Sequence, residues 1–121
     1  MPYETTWEKK GIYFKLYGIV TGNDIEQLTI DFFGDSRFDD IRYLIADFMS
    51  IDDLVMSDDQ LESVAAQDMA AAITNPNVKI AIITTHPRMI ELTTMFGNMF
   101  GEHPWKISVH ENIEEARRWC L

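Results

Sequence analysis

The chain has 121 residues, of which 46% are hydrophobic, and its 20 acidic and 10 basic side chains give a formal charge of −10. A chain of this size and apolar content can bury a core without disulfide cross-links, so we expect residues 1–121 to form one domain. The negative charge would repel phosphate backbones and anionic lipid surfaces, which argues against nucleic-acid and membrane-surface partners.

The N-terminal segment has the pattern of a β-hairpin followed by a helix. Residues 3–9 alternate, Lys10-Gly11 has turn character, and a second alternating run follows. In the second run, one set of positions, Ile12, Phe14, Leu16, Gly18 and Val20, alternates with Tyr13, Lys15, Tyr17 and Ile19, and a period of two is typical of strands. Asn23 and Glu26 have the spacing of a capping box, which predicts a helix from Asn23 to Gly34.

The middle of the chain predicts two buried strands joined by a helix. Tyr43–Ala46 and Ile80–Ile83 are short apolar runs, which are typical of parallel strands buried on both faces. Ser57 and Gln60 form a second capping-box pattern that starts the intervening helix. The predicted buried stripe of that helix contains Leu61, Val64, Ala65, Met69 and Ala72. Strand, helix and parallel strand make a right-handed crossover unit.

The C-terminal segment adds a helix, a strand and a last helix. His86-Pro87 opens the first of these helices, which we expect to end at Gly101. Trp105–His110 is the predicted fifth strand, and Asn112 with Glu115 predicts the start of the last helix. The order β-β-α-β-α-β-α-β-α therefore predicts an α/β fold, with a mixed, mostly parallel sheet of about five strands flanked by about four helices.

This order of elements resembles the STAS family, the fold of bacterial anti-sigma-factor antagonists. It is most similar to the SpoIIAA-like branch grouped with SEC14-type domains. Three places carry the resemblance: Leu44–Phe48 followed by Ser57, the strand Lys79–Thr84, and the ending His110–Trp119. The resemblance spans nearly the whole chain. It implies a SpoIIAA-like fold and a non-catalytic regulatory domain that acts through protein contacts and needs no cofactor.

Ser57 matches a regulatory position of the resembled family. In the antagonists, a partner kinase phosphorylates the serine at the start of the helix after the central strand, and the phosphate blocks binding. The flanking residues Met56, Asp58 and Asp59 depart from the family's usual Asp-Ser-small-Gly pattern. Two neighbouring acids would repel an added phosphate. Ser57 is therefore either a phosphorylation switch or only a helix cap.

A second set of polar residues follows the predicted strands. Ligands of open α/β sheets bind beyond the carboxyl ends of the strands, and the residues expected there are Asp47, Ser50, Thr85, His86 and His110. A hydrolase-like site that uses Asp47, His86 and His110 is one alternative function. No pair among them has metal-ligand spacing, so we expect no metal and no catalytic residue. Cys120 is the only cysteine, which favours a reducing, cytoplasmic location.

Asp68 is unusual because it lies seven residues after Leu61, inside the predicted apolar stripe. A buried carboxylate needs a partner. We expect Asp68 to sit at the exposed end of the stripe and to pair with a surface Arg or Lys. The alternative is a buried polar anchor that lines a pocket, as part of one cleft with the polar residues expected at the strand ends.

The remaining function hypotheses concern surfaces. A basic partner protein would meet the acidic side chains Asp52, Asp53, Asp58, Asp59 and Glu62. The Met-rich segment offers a homodimer face or the rim of an apolar cleft, formed by its outer residues Ile90, Met95, Gly97, Met99 and Trp105 with the loop 101–104. A carrier of a small, lipid-like apolar ligand between helices 57–74 and 87–101 would need a cavity of roughly 300 Å³.

Overall fold

The computed structural model describes residues 2–100 and 104–121. Within them the predicted order of elements is confirmed. The elements are β1 (Tyr3–Trp7), β2 (Gly11–Thr21), α1 (Gly22–Phe33), a 3₁₀ turn (Ser36–Asp40), β3 (Tyr43–Val55), α2 (Asp58–Thr74), β4 (Lys79–Ile83), α3 (Pro87–Phe100), β5 (Lys106–His110) and α4 (Ile113–Cys120).

The sheet has the order β1-β2-β3-β4-β5, with β1 antiparallel to β2 and the other neighbours parallel. The predicted mixed, mostly parallel sheet is therefore confirmed. The larger apolar core lies between one face of the sheet and helices α1, α2 and α3. A smaller core on the other face lies under α4, where Ala116 packs with Ile45, Ala81 and Ile83. One short helix thus covers only part of that second face.

Strands β2 and β3 extend beyond their neighbours. Residues 17–21 of β2 pair with residues 50–55 of β3, whereas β4 pairs with β3 only as far as Asp47. We call this two-stranded segment the ribbon. Gly18 has a positive φ of 67°, a conformation that favours glycine, at a shift in the ribbon register. The expectation that Asp47 and Ser50 follow the end of their strand is therefore wrong, because pairing with β2 prolongs β3 to Val55.

The helix starts agree with two of the three predicted caps. Ser57 accepts a hydrogen bond from the Gln60 amide and completes a capping box, and Asn112 accepts one from the Glu115 amide. Helix α1 instead begins at Gly22, capped by Thr21 in a box with Asp24. The prediction that Asn23 caps this helix is wrong, because the earlier Thr-x-x-Asp pattern has the same geometry directly after the ribbon.

A buried amide closes the core at the end opposite the ribbon. The Asn75 Nδ2 donates to the backbone carbonyls of Phe38 and Ile41 at 2.8 and 2.9 Å. The Trp105 indole N–H donates to the backbone carbonyl of Asn75 at 2.6 Å. These bonds join the 3₁₀ turn, the end of α2 and the start of β5, so one residue connects three loops through its side chain and its main-chain carbonyl.

An ion pair fastens α4 to the sheet. The Arg117 guanidinium donates two hydrogen bonds to the Glu8 carboxylate, at 2.9 and 2.7 Å, and the Tyr43 hydroxyl donates a third. These contacts hold the pKa of Glu8 below its usual range, mainly through the Arg117 hydrogen bonds. The pair joins the N-terminal hairpin to the last helix.

We expect Glu8→Gln to lower the free energy of unfolding by about 0.5–1 kcal/mol at pH 7, the range of partly exposed ion pairs. A lowered pKa contributes stability above the unfolded value and loses it as pH falls through the folded value. The difference between wild type and Glu8→Gln in urea unfolding should therefore shrink below pH 4. A difference that stays constant from pH 7 to pH 3 would contradict this assignment.

Candidate functional site

A cavity lies between the sheet and the three helices α1, α2 and α3, with a volume of about 100 Å³. Most of its wall is aliphatic or aromatic. The buried residues Leu16, Leu44, Val64, Leu92 and Phe96 are among those that line it. A pocket between α2 and α3 agrees with the sequence-based hypothesis. Its volume is about a third of what a lipid-like ligand was expected to need, so a ligand of that size does not fit this structure.

Asp68 projects from α2 into this cavity. Its residue surface is only 5% exposed, and within the described residues it has no hydrogen-bond or ion-pair partner. Burial in these apolar surroundings raises the pKa of the carboxyl to about 8. The expectation of an exposed Asp68 paired with a surface cation is therefore wrong. The alternative, a buried polar residue that lines a pocket, describes its position.

Two threonines complete the polar part of the wall. Thr29 of α1 and Thr93 of α3 are 3% and 6% exposed, and both line the cavity. Their hydroxyls donate to backbone carbonyls one turn earlier, those of Ile25 and Met89, at 2.9 and 2.8 Å. Sequence reasoning missed both threonines. The available signal was their position four residues after an apolar residue of the same stripe.

The cavity reaches half-exposed residues at the end where the helices begin. Met56 and Met89 line it there, at the starts of α2 and α3. The Arg88 guanidinium donates to the Met56 carbonyl at 3.4 Å and lies 3.6 Å from an Asp58 carboxylate oxygen. The cavity and the capped start of α2 at Ser57 are therefore neighbours.

The ribbon presents uncovered apolar side chains beside Ser57. Ile19 and Val55 are 63% and 55% exposed on the face opposite the main core. Asp53 pairs with Ile19 across the strands and is exposed, as is the adjacent Asp52. Apolar and acidic side chains thus alternate on one surface, which we call the ribbon surface: Tyr17, Ile19, Asp53 and Val55.

Two of the polar residues expected at the strand ends, Asp47 and His110, do not meet. In the register, Asp47, Ile83 and His110 stand side by side, so β4 separates Asp47 from His110 by about 10 Å. The Asp47 carboxylate instead accepts hydrogen bonds from the Tyr13 hydroxyl and the Met49 amide. A direct His–Asp pair between these two strands is therefore absent from this arrangement.

Of the other members, His86 and His110 both bond to Thr84, whose amide donates to the His110 carbonyl at 3.0 Å. His110 packs on Trp119 of α4, with ring centroids 5.5 Å apart. The His86 amide donates to Thr84 at the start of α3, and Thr85 is exposed. Ser50 lies in the ribbon. Asp68 lies on the face of the sheet opposite α4. In the part of the chain that the structure describes, no three His, Cys, Asp or Glu side chains are grouped to hold a metal ion.

The Met-rich helix presents little free apolar surface. Met95 and Met99 are half-buried against the main core, and Ile90 is 42% exposed. Gly97 is turned toward Ile107, since a methyl group added at Gly97 would meet that side chain at ordinary contact distance. Trp105 is buried, with 2% exposed, so its assignment to an interface is wrong: its indole is held in the loop contact with Asn75. The predicted helix end at Gly101 and most of the loop 101–104 lie outside the described residues.

No helix within the described ranges has the length and apolar character that spanning a membrane requires. Comparisons with known proteins find no matching family model and no matching curated protein. Similar folds do occur among solved structures.

One solved structure is an uncharacterised protein of the DUF3478 family with a SpoIIAA-like fold, from Shewanella loihica. It is 21% identical, with a TM-score of 0.58, over 98% of this chain and 92% of that one. The unphosphorylated anti-sigma factor antagonist SpoIIAA is 13% identical, with a TM-score of 0.60, over 96% and 94%. Phosphorylated SpoIIAA, described as a Bacillus cell fate determinant, is 13% identical, with a TM-score of 0.62, over 98% and 99%. The chain therefore has the SpoIIAA-like fold, which confirms the fold predicted from its sequence.

Proposed function

We propose that this chain is a non-catalytic regulatory domain of STAS type, which binds another protein through the ribbon surface and the start of α2. The observation that carries the proposal is the exposure of Ile19 and Val55 on the ribbon face that points away from the main core, which no described element covers. Exposed apolar patches rimmed by polar residues mark protein-interaction sites. The fold shared with an anti-sigma factor antagonist supports the same class of function.

The geometry of the ribbon favours a protein partner. Beyond Asp47, β3 has a neighbouring strand on one side only, so its other edge has no strand partner among the described residues. Two amides of this segment, those of Met49 and Leu54, donate to the carboxylates of Asp47 and Asp53. An extended peptide segment could add to this edge through main-chain hydrogen bonds, while its side chains contact Ile19 and Val55. This arrangement gives the partner a defined direction and register.

Charge selects a basic partner. The exposed acids Asp52 and Asp53 belong to the ribbon, and Asp58, Asp59 and Glu62 continue the acidic surface onto α2. Charges at the edge of an interface accelerate association and disfavour partners of like charge. Binding should therefore weaken as salt concentration rises.

Ser57 is the proposed regulatory position of this surface. It is exposed, directly follows the ribbon, and lies near Arg88, which contacts Met56 and Asp58. A phosphate there would gain from the helix N-terminus and Arg88 but would add negative charge to an acidic surface. The added charge and volume would obstruct the docked partner.

Replacing Ser57 separates its capping role from a regulatory role. We expect Ser57→Ala to lower the free energy of unfolding by about 1 kcal/mol, because the Gln60 amide loses its acceptor. Partner affinity should stay within about twofold of wild type, since the hydroxyl is used inside the helix cap. Chemical denaturation measures the first quantity and titration with the partner the second. Unchanged stability would contradict the capping role.

Site-specific photo-crosslinking in cells that express the protein tests the proposed surface. A photoreactive residue at Val55 should give a discrete protein adduct, whereas the same residue at Ile73, which is 86% exposed at the far end of α2, should not. Equal labelling at both positions, or none at Val55, would contradict the proposal. An adduct with a second copy of this chain would mean that the surface forms a homodimer and does not bind a basic partner. Light scattering at micromolar concentration would then measure the oligomeric state.

A further inference from the structure

Each of the three helices over the sheet contributes one polar side chain to the cavity: Thr29, Asp68 and Thr93. All three are more than nine-tenths buried. Each threonine hydroxyl has one proton, and both protons are already donated to backbone carbonyls. The hydroxyls therefore offer the cavity only lone pairs, and an ionised Asp68 likewise only accepts.

When Asp68 is ionised, the wall of this cavity has an excess of hydrogen-bond acceptors. Buried acceptors without donors are unfavourable, and an unpaired buried carboxylate is more so. A primary ammonium group has three N–H donors, no acceptor and a compensating positive charge. It is the simplest chemical group that complements this wall.

We propose that the cavity binds a small primary amine, whose ammonium group meets Asp68 and the two threonines while its alkyl body lies on the apolar wall. The volume of about 100 Å³ limits the body. A cavity of about 150 Å³ accommodates benzene, so roughly four or five non-hydrogen atoms fit here. The net charge of −10 also favours approach of cations over anions.

Binding of the amine should depend on pH through one group. Among the described residues of the wall, the side chains that face Asp68 from α1, α3 and the strands are apolar or threonine, and none of them titrates. Since burial raises the Asp68 pKa to about 8, the empty site is protonated at pH 6 and must release a proton to form the ion pair. Affinity should therefore rise about tenfold per pH unit from 6 to 8 and level off above.

The probe is n-butylammonium chloride, titrated into the full chain with methyl signals of Val64 and Leu92 followed by NMR. We expect saturable shifts at these two cavity residues, with a dissociation constant on the order of 1 mM at pH 8. Asp68→Asn should weaken this binding at least tenfold, and Thr93→Val several-fold, because each removes an acceptor. Glu114→Gln, an exposed carboxyl-to-amide change on α4 across the sheet from the cavity, should leave it unchanged.

Ligands of the same number of non-hydrogen atoms decide whether charge matters. 1-Butanol and propionate should bind at least tenfold more weakly than n-butylammonium at pH 8, because neither brings three donors and a positive charge. The proposal is overturned if either of them binds as tightly, if Asp68→Asn retains full affinity, or if n-butylammonium gives no cavity shifts up to about 50 mM, well above the affinity expected for a ligand of this size.

Discussion

Asp68→Asn is expected to raise the free energy of unfolding at pH 8 by roughly 4 kcal/mol, the balance between a pKa shift of about four units and the cost of burying an amide. The carboxyl lies in an apolar wall without a partner among the described residues, and its pKa rises from 3.8 to about 8. Asparagine keeps the shape of the side chain without the charge. Most buried-site substitutions destabilise a protein, so a gain of this size would be distinctive.

The raised pKa of Asp68 determines the pH range over which Asp68→Asn changes the free energy of unfolding. Between about pH 4 and pH 8 the folded state keeps the Asp68 proton that the unfolded chain releases, so wild-type stability should fall as pH rises. Asp68→Asn should not show this slope, and the two proteins should have similar stability near pH 4. Urea denaturation across this range measures both, with Glu62→Gln as the exposed control. Parallel curves for wild type and Asp68→Asn would contradict the assignment.

Asn75→Ala is expected to lower the free energy of unfolding by about 3 kcal/mol, because it removes the side-chain donor from two buried carbonyls, of which only that of Phe38 keeps another donor, the Ile41 amide. Those carbonyls belong to Phe38 and Ile41, and the Asn75 side chain also accepts from the Asn77 amide at 3.2 Å. For a chain of this length, the midpoint of thermal unfolding should fall on the order of 10 °C.

Two further variants show whether the Asn75 amide itself is responsible. Asn75→Asp has the same shape but replaces N–H donors with acceptors, so it should destabilise the protein at least as much as alanine. Asn77→Ala changes an exposed neighbour and should alter stability by less than about 0.5 kcal/mol. Calorimetry on the three variants compares them directly. An Asn75→Ala midpoint equal to that of Asn77→Ala would mean that the amide bonds are unimportant.

The fold could be predicted because local signals agreed with the global arrangement. The apolar runs at Tyr43–Ala46 and Ile80–Ile83 became neighbouring parallel strands, and Ser57 begins its helix as the capping pattern indicated. The ribbon could not be predicted in the same way. Between Met49 and Val55 only one face of β3 is covered, so acidic side chains interrupt the apolar pattern that identifies a buried strand.

The sequence pattern predicts the wrong burial for two adjacent residues of α2, Asp68 and Met69. The predicted stripe of α2 took Met69 as buried and placed Asp68 at an exposed end, on the grounds of polarity. The structure has the reverse, with Met69 53% exposed and Asp68 buried. Helical periodicity alone places position 68 in line with Leu61, so geometry outweighed residue preference. The signal for the cavity was therefore a charged residue at a position that helical periodicity places on the buried face.

The proposed partner-binding surface is tested most directly by titrating the partner protein, identified by crosslinking at Val55, into two double variants with matched charge reversals. Asp52→Lys/Asp53→Lys changes the ribbon, and Asp39→Lys/Asp40→Lys makes the same change on the exposed 3₁₀ turn after α1. We predict that the ribbon pair weakens binding at least tenfold and the 3₁₀ pair less than about twofold, because only the first faces the partner. Equal weakening by both pairs, or no weakening by the ribbon pair, would contradict the proposed surface.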